Sequence, residues 1–413
     1  MSVQEILQSA KVASAVIAKA NTDVKNAALQ KISELLLERS ALIIEANAND
    51  LARGEASSMA KGLLDRLKLD QKRIESLSGA VQSVIGLADP IGDSVSGMTL
   101  ANGLKVQQVR VPFGVVGMIY EARPNVTVDI AALAIKSGNA AVLRGGSAAE
   151  NTNRVLVKLL QDGLSFVGLP PQAIQTVDDY GRDGAVAMMQ ARGLVDVLIP
   201  RGSASLIRTV VTESKVPVIE TGDGVVHMFI DESADLAKAL PMVINAKVQR
   251  PSVCNSLETL LVHERIAERF IPGVVQALQD AGVLVHGCEQ TQALVNCESA
   301  TTEDWAKEYL ALEIAIRVVP TLDEALDHIA KYSTHHTESI VTENLANAER
   351  FLQEVDSAVV MVNASTRFTD GGEFGFGAEV GISTQKLHAR GPMGLRELTS
   401  TKWLVRGNGQ VRS

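Results

Sequence analysis

The sequence predicts an α/β protein with two regions that each contain a parallel sheet, preceded by a helical region. The chain has 413 residues, more than one compact core usually organises, so we expect more than one domain. Apolar residues make up 46% and charged residues 21%, a balance typical of globular proteins. From Pro112 onward, short strands of buried type alternate with segments of helical periodicity. That alternation predicts parallel strands covered by helices on both faces.

Helices are predicted throughout the first part of the chain, up to about residue 90, because apolar residues recur there at helical spacing. Asn21 and Asp70 occupy positions typical of helix N-caps. The segment 105–111 that follows is extended in character, with Gly103 before it and Pro112 after it. We expect it to form one half of a β-hairpin or an arm.

The two α/β regions are read from their apolar segments. The first region is predicted to contain strands at residues 115–120, 140–143, 174–177, 195–199 and 216–219. The second starts near Ser233, with helices at 234–248 and 265–281 and strands at 257–262, 314–319, 358–363 and, last, 401–405. Parallel sheets bind ligands at the carboxyl ends of their strands, so candidate site residues are sought there.

Composition argues against several classes of function. The formal net charge of −9 argues against nucleic-acid binding. The three cysteines have no CxxC spacing, and the adjacent His335 and His336 lack a third ligand at a metal-binding distance in sequence, so we expect neither a disulfide framework nor a metal. No secretory signal follows Met1, and no apolar run approaches the roughly 20 residues of a membrane-spanning helix. We therefore expect a cytoplasmic protein that does not bind membranes.

Cys254 is the strongest candidate for a catalytic nucleophile. It lies on a turn between a helix broken by proline and a strand. Lys247 and Arg250 place positive charge nearby in sequence, and positive charge favours the thiolate, the reactive form of cysteine. The alternative is that Cys254 is a small buried side chain of the core. Cys288 and Cys297 have acidic neighbours, which disfavour a thiolate, and are expected to be structural.

Two turns have the features of an anion-binding site. They comprise Arg144, Gly145, Gly146 and Ser147 after the strand at 140–143, and Arg201, Gly202 and Ser203 after the strand at 195–199. A Gly-Ser turn at a helix N-terminus presents backbone N–H groups to a phosphate, and the arginines add charge where a 2′-phosphate would lie. The alternative is a pair of ordinary strand–helix turns with solvated arginines. The GxGxxG fingerprint is absent, so only a variant dinucleotide site is compatible with the sequence.

Asn125 and Glu220 also follow predicted strands. The carboxamide of Asn125 is suited to donating a hydrogen bond to an oxyanion, or alternatively Asn125 caps the helix that starts near Thr127. Glu220 is a candidate general base, or alternatively a solvated carboxylate.

The order of these motifs resembles that of the aldehyde dehydrogenase superfamily. The matching positions are 112–117, Asn125, the turn at Arg144, Gly202 with Ser203, residues 220–222, Cys254 and residues 312–314. Further segments at 248–259, 332–338, 362–368, 377–384 and 389–395 resemble the branch of this superfamily that reduces glutamyl phosphate. Together the segments cover nearly the whole chain, and the resemblance depends on the set rather than on any one motif.

The resemblance implies an aldehyde-dehydrogenase-like fold, with two parallel-sheet Rossmann-type α/β domains and a small β oligomerisation arm. The implied parts are a cofactor-binding domain at 1–96 and 113–233, a catalytic domain at 234–385, and an arm at 97–112 and 386–413. An arm with an edge strand favours a homodimer or a homotetramer. Association with glutamate 5-kinase stays open.

The resemblance also implies NADPH-dependent reduction of L-glutamyl 5-phosphate to L-glutamate 5-semialdehyde and phosphate through a cysteine thioester. This reaction is the second step of proline biosynthesis from glutamate. In that role Cys254 matches the nucleophile and Asn125 the oxyanion donor. Glu220 matches the general base of hydrolytic members, and Glu313 matches the glutamate that holds the nicotinamide ribose.

The residues just before the cysteine depart from the hydrolytic pattern. Hydrolytic relatives carry a Gly-Gln pair there, whereas this chain has Arg250, Pro251 and Ser252. A guanidinium offers paired donors to phosphate oxygens, so Arg250 is the predicted phosphate ligand. Arg367 is a second candidate, for the phosphate or the substrate α-carboxylate, with a structural ion pair as the alternative. A hydrolytic NAD(P)-dependent aldehyde dehydrogenase and a non-enzymatic scaffold of the same fold are the alternative functions.

Overall fold

The computed structural model describes residues 1–412, which fold into two compact units. The first unit comprises Met1–Thr221, Gly375–Gly381 and the stretch that begins at Met393. The second comprises Gly222–Phe374 and Ile382–Pro392. The assignment of cofactor binding, catalysis and oligomerisation to separate parts of the chain stays a prediction.

The first unit begins with consecutive helices, as the apolar spacing predicted. They are α1 (Val3–Ile17), α2 (Thr22–Glu38), α3 (Ser40–Ala56), α4 (Lys61–Leu67) and α5 (Gln71–Gly86). The predicted N-caps are confirmed, because the side chain of Asn21 accepts a hydrogen bond from the Val24 N–H (2.9 Å) and that of Asp70 from the Arg73 N–H (3.0 Å).

The rest of the first unit alternates strands and helices. Its elements are β1 (Ser94–Thr99), β2 (Lys105–Pro112), β3 (Val115–Tyr120), α6 (Pro124–Lys136), β4 (Ala140–Arg144), α7 (Glu150–Phe166), β5 (Ile174–Thr176), α8 (Gly181–Gln190), β6 (Val197–Arg201) and α9 (Ala204–Glu213). A parallel sheet forms in the order β5-β4-β3-β6, and every residue of β3 is buried. The chain runs from β3 outward to β5 and then crosses back to place β6 on the other side of β3. The strand order therefore reverses between β3 and β6, which is where open α/β sheets bind ligands.

The strand predicted at residues 216–219 is wrong. Val218 forms only an isolated bridge to Leu198. The Leu198 N–H donates to the carbonyl of Pro217 (2.8 Å), and the Ile219 N–H donates to the Leu198 carbonyl (2.9 Å). Pro217 has no N–H to continue a ladder, so the pairing stops there.

The second unit is built on its own parallel sheet. Its elements are β7 (Val226–Ile230), α10 (Leu236–Val248), β8 (Leu257–His263), α11 (Glu264–Asp280), β9 (Leu284–Gly287), α12 (Glu289–Gln292), β10 (Glu298–Ser299), β11 (Glu313–Val319), α13 (Leu322–Tyr332), β12 (Thr337–Val341), α14 (Leu345–Glu354), β13 (Val359–Val362), β14 (Ile382–Ser383) and β15 (Gly391–Pro392). The sheet order is β10-β9-β11-β8-β7-β12-β13, and β14 pairs with β15 separately. Every residue of β7, β8 and β12 is buried, as expected of central strands covered on both faces.

The last strand, β16 (Thr399–Arg406), returns to the first unit. It pairs antiparallel with β2, which also pairs antiparallel with β1, so the extended segment and the C-terminal strand predicted from sequence are neighbours. Every residue of β1 is exposed, and Trp403 and Val405 on β16 are more than half exposed. Within the described residues, no helix is long and apolar enough to cross a membrane.

Candidate active site

Cys254 lies in the second unit, half-buried on the loop between α10 and β8. Gly224, just before β7, passes directly against the backbone of Cys254. A Cβ added to Gly224 would overlap the carbonyl oxygen of Cys254, so only glycine fits there. The Gly224 N–H donates to Glu308 Oε1 (2.8 Å), which holds this strand of backbone in place. The close approach of Gly224 thus fixes the position of the loop that carries Cys254. The sequence alone did not indicate this role for Gly224.

Lys247 does not direct its charge toward Cys254 as its sequence position had indicated. Its Nζ lies 2.6 Å from Glu258 Oε2, and both side chains are fully buried. Burial raises the pKa of Glu258 and lowers that of Lys247, and the opposite charge of each partner counteracts both shifts. The pair joins the end of α10 to the start of β8, the two ends of the loop that carries Cys254.

Arg250 and Arg367, the two predicted phosphate ligands, lie in the second unit together with Cys254. Arg250 is exposed, whereas Arg367 is half-buried and donates from Nε to Gln249 Oε1 (2.9 Å). The pKa of Arg367 is lowered, chiefly by burial and also by the charge of Arg250. The charges of Asp370 and Cys254 oppose this shift. Arg367 therefore interacts with the charges of both Arg250 and Cys254. The sequence alone could not show that these three residues interact.

Asn255 ties the segment that carries Arg367 to the nucleophile loop. Its Nδ2 donates to the carbonyl of Thr369 (2.7 Å), and its own carbonyl accepts from Thr366 Oγ1 (2.8 Å). Asn255 is buried and directly follows Cys254. Hydrogen bonds therefore join the two loops, although more than a hundred residues separate them in sequence.

The predicted anion-binding turns lie at the carboxyl edge of the sheet in the first unit. Arg144 is opposite Ile119 in the β3–β4 register, and Arg201 is opposite Tyr120 in the β3–β6 register. Both arginines thus flank the end of β3, beside the point where the strand order reverses. This location and charge fit the pyrophosphate and ribose end of a dinucleotide.

Carboxylates of the protein itself hold the N–H groups of both turns. The Gly145 N–H donates to Asp178 Oδ1 (2.6 Å), and the Ser203 N–H donates to Glu121 Oε2 (3.0 Å). Burial raises the pKa of Asp178 to about 6. The Ser203 side chain in addition caps α9 through the Leu206 N–H. Sequence reasoning found the turns but missed these two acids.

Asn125 is the second residue of α6 and does not cap it. The N-cap of this helix is Arg123, so the alternative role of Asn125 as a helix cap is wrong. Instead, Asn125 Nδ2 donates to Asp129 Oδ2 (3.0 Å) one turn later. Burial raises the pKa of Asp129 to about 6, while Asn125 and the charge of Arg201 lower it. Asp129 thus fixes which way the Asn125 carboxamide points.

Glu220 and Glu313 belong to different units. Glu220 is half-buried in the first unit, after the isolated bridge at Val218. Glu313 begins β11 in the second unit, with Oε2 3.4 Å from His286 Nε2 and 4.0 Å from Lys307 Nζ. Their assigned roles stay predictions.

The other two cysteines, Cys288 and Cys297, are half-buried thiols in the second unit. Burial raises the pKa of Cys297, which disfavours its thiolate. Across the part of the chain that the structure describes, no group of three or more His, Cys, Asp or Glu side chains is placed to hold a metal ion.

Comparison with known proteins defines the class to which this site belongs. The family model described as "Aldehyde dehydrogenase family" matches residues 1–303. A solved structure that shares the fold at 16% identity and a TM-score of 0.72, covering 98% of this chain and 96% of that chain, is an engineered glycolyl-CoA reductase with bound NADP⁺. The parallel-sheet α/β fold is the one predicted for a protein of this family.

Closer relatives narrow the class. The chain is 62% identical to a gamma-glutamyl phosphate reductase of Clavibacter michiganensis over 99% of this chain and 95% of the relative. It is 61% identical to one of Leifsonia xyli over 100% of this chain and 98% of the relative. The crystal structure of the gamma-glutamyl phosphate reductase of Thermotoga maritima matches with a TM-score of 0.97 and 48% identity, covering 100% of both chains. The chain therefore belongs to the aldehyde dehydrogenase family and, within it, to the family of gamma-glutamyl phosphate reductases.

Proposed function

We propose that this protein reduces L-glutamyl 5-phosphate to L-glutamate 5-semialdehyde and phosphate with NADPH, in proline biosynthesis. The observation that carries the proposal is the 62% identity to a named reductase over almost the whole chain. The interaction of the Arg367 guanidinium with the charge of Cys254 supports it, because an acyl phosphate brings negative charge to the nucleophile.

Cys254 has the role of nucleophile in this proposal. Its thiolate attacks the acyl carbonyl, the carbon–oxygen bond to phosphate breaks, and phosphate leaves as the acyl group becomes a thioester. We assign the stabilisation of the developing oxyanion to the Asn125 carboxamide and the Cys254 N–H. Arg250 is assigned to the departing phosphate. Glu220 keeps an orienting role, since release of the aldehyde needs no water.

The phosphates of the cofactor are assigned to the first unit. NADPH, when bound, supplies the hydride that reduces the acyl group. Arg144, Gly145 and Ser147 on one turn and Arg201, Gly202 and Ser203 on the other would hold its phosphates, and Glu313 its nicotinamide ribose. The two arginines at the end of β3 favour the 2′-phosphate of NADPH over the hydroxyl of NADH. The NADPH to NADH efficiency ratio of Arg144→Ala tests this, and an unchanged ratio removes Arg144 from the assignment.

Phosphate-dependent reduction of NADP⁺ by glutamate semialdehyde tests the reaction itself. Wild type should show this activity only with phosphate present, and Cys254→Ala should lose it. Activity that persists without phosphate would instead identify a hydrolytic aldehyde dehydrogenase. A thiol reagent that labels Cys254 no faster than Cys288, in an inactive protein, would point to a scaffold.

Arg250→Lys tests the phosphate assignment. The point charge of lysine lacks the paired donors of a guanidinium, so the KM for phosphate in the reverse reaction should rise far more than the KM for NADP⁺. Equal rises would identify Arg250 as structural.

We also propose that the sheet of β1, β2 and β16 is the oligomerisation arm, which would give a homodimer or homotetramer. Its exposed strands support this, because an unpaired antiparallel edge is suited to pairing with another chain. Light scattering of wild type against a chain that ends before β16 tests it. A cytoplasmic location and an association with glutamate 5-kinase are inferences from the biosynthetic role alone.

A further inference from the structure

A small charged cavity opens in the second unit beside the segment that carries Arg367. Its volume is about 180 Å³. The lining residues are Asn245, Gln249, Arg367, Phe368, Asp370 and Glu373. The cavity therefore combines one guanidinium with two carboxylates and two carboxamides.

The charges of this cavity do not suit a phosphate. Two carboxylates on the wall would repel a dianion, and Arg250, the better candidate for phosphate, is not among the lining residues. The combination instead matches a ligand that carries both signs at neighbouring atoms. Arg367 is half-buried, so its attraction for an anion is less screened than that of a surface arginine.

The cavity is held at a fixed place relative to the nucleophile. Asn255, next to Cys254, bonds the carbonyl of Thr369 and the hydroxyl of Thr366 on either side of Arg367. Asp370 is fixed on a turn, because its Oδ1 accepts the Gly372 N–H (2.8 Å). Ser365 Oγ donates to Asn245 Oδ1 (2.7 Å) and joins the cavity to α10.

We propose that this cavity is the binding site for the α-amino and α-carboxylate groups of the substrate, with Arg367 on the carboxylate and Asp370 and Glu373 on the ammonium. The inference rests on the proposed function and names the recognition element of that same site, a zwitterionic α-amino acid. In a glutamyl substrate, two methylene groups separate the α-carbon from the reacting carbonyl carbon. A short rigid link between an amino-acid cavity and the thiol, such as the one that Asn255 provides, selects for that chain length.

Substrate analogues that lack one charge at a time test the assignment. The assay is phosphate-dependent NADP⁺ reduction with glutamate semialdehyde, with 5-oxopentanoate, which lacks the amino group, and with butanal, which lacks both groups. Arg367→Gln should raise the KM for glutamate semialdehyde and for 5-oxopentanoate about tenfold or more relative to the KM for butanal. Asp370→Asn with Glu373→Gln should raise the KM for glutamate semialdehyde alone. Glu349→Gln, an exposed acid on α14, is the matched control and should change none of the three.

The results that overturn the inference are specific. An Arg367→Gln variant that affects all three aldehydes equally would show a structural or phosphate role. If Asp370→Asn disturbs its turn, Glu373→Gln alone, at an exposed position, still reports on the ammonium. An unchanged KM for glutamate semialdehyde in every variant would refute the site even though the reaction itself is present.

A binding measurement separates failure of the site from failure of the function. L-Glutamate should slow alkylation of Cys254 by iodoacetamide in wild type, glutarate should do so less, and Arg367→Gln should abolish the protection. Protection without any phosphate-dependent activity would keep the amino-acid site and refute the reductase. Activity without protection, and without any effect of the Arg367 variant, would do the reverse.

Discussion

Replacing Lys247 by methionine tests whether the buried ion pair holds the nucleophile loop. The Lys247 ammonium lies 2.6 Å from the Glu258 carboxylate, and neither side chain is exposed to solvent. Methionine keeps most of the length and apolar volume of lysine but removes the charge. Glu258 would then be a buried carboxyl with one remaining partner from the backbone, the Leu310 N–H at 3.3 Å.

The expected cost follows from desolvation. Removal of one member of a buried pair leaves its partner uncompensated, which destabilises a fold by about 3–5 kcal/mol. In a unit of this size, each kcal/mol lowers the Tm by roughly 2–4 °C, so the transition of the second unit should fall by about 6–20 °C. Lys247→Met combined with Glu258→Leu removes both charges and should recover most of the loss.

Differential scanning calorimetry of the wild type, both single variants and the double variant closes a double-mutant cycle for the pair. A Lys247→Met variant that melts within about 1 °C of wild type would refute the reasoning, as would a double variant less stable than either single one. The rate of Cys254 alkylation should also be measured as a function of pH in these proteins and in Arg367→Gln. Because Lys247 is paired with Glu258, the pH midpoint of alkylation should move less in Lys247→Met than in Arg367→Gln, since the Arg367 guanidinium interacts with the charge of Cys254.

Three further perturbations have predicted outcomes. Gly224→Ala should lower both the stability of the protein and the rate of Cys254 alkylation, because the added Cβ overlaps the Cys254 carbonyl. The control Gly273→Ala on α11 adds a Cβ with nothing within 4 Å and should stabilise the protein by about 0.5–1 kcal/mol in chemical denaturation. Asp129→Ala should lower kcat about tenfold with little change in KM, because it frees the Asn125 carboxamide. Asp129→Asn should retain most activity, because an amide oxygen still accepts the hydrogen bond from Asn125. Equal losses of kcat in the two variants would contradict this role of Asp129. Burial raises the pKa of Asp129 to about 6, so the contribution of Asp129 to stability is full below its ordinary pKa near 3.8 and is lost as the pH rises through 6. The free energy of unfolding of wild type relative to Asp129→Asn should therefore fall over that pH window. A difference that does not change with pH would exclude a titrating Asp129.

Elements with regular apolar spacing were predictable from the sequence, and elements defined by buried polar contacts were not. The strands at β3, β8 and β11 were found because most of their residues are apolar. β12 was missed because it begins Thr337, Glu338, Ser339, a pattern that usually marks a loop. In the structure Glu338 is fully buried and accepts hydrogen bonds from the His227 N–H (2.9 Å) and from Ser333 Oγ, so distant partners satisfy a strand that local sequence disfavours.

The residues of the candidate site likewise include some that were predictable from the sequence and some that were not. Cys254, Asn125 and the two turns were identifiable because each lies at the end of a predicted element. Their partners were not, because Gly224, Asn255 and Asp129 act through contacts that sequence does not encode locally. For the same reason Lys247 pairs with Glu258 although the sequence indicated a charge directed toward Cys254, since nearness along the chain does not determine the direction in which a side chain points.

The acids on the two anion-binding turns change what those turns imply about affinity. Glu121 and Asp178 already satisfy the Ser203 and Gly145 N–H groups, so a phosphate that uses those donors must displace a carboxylate from each. Both acids are half-buried, but Asp178 is also held from outside its turn, because its Oδ2 accepts from Asn153 Nδ2 (3.1 Å), so its displacement breaks a further hydrogen bond. The turn at Ser203 is therefore the one that can open to a phosphate. Glu121→Ala should consequently lower the KM for NADP⁺ at low ionic strength, and an unchanged or raised KM would place the cofactor phosphates elsewhere on the edge of this sheet.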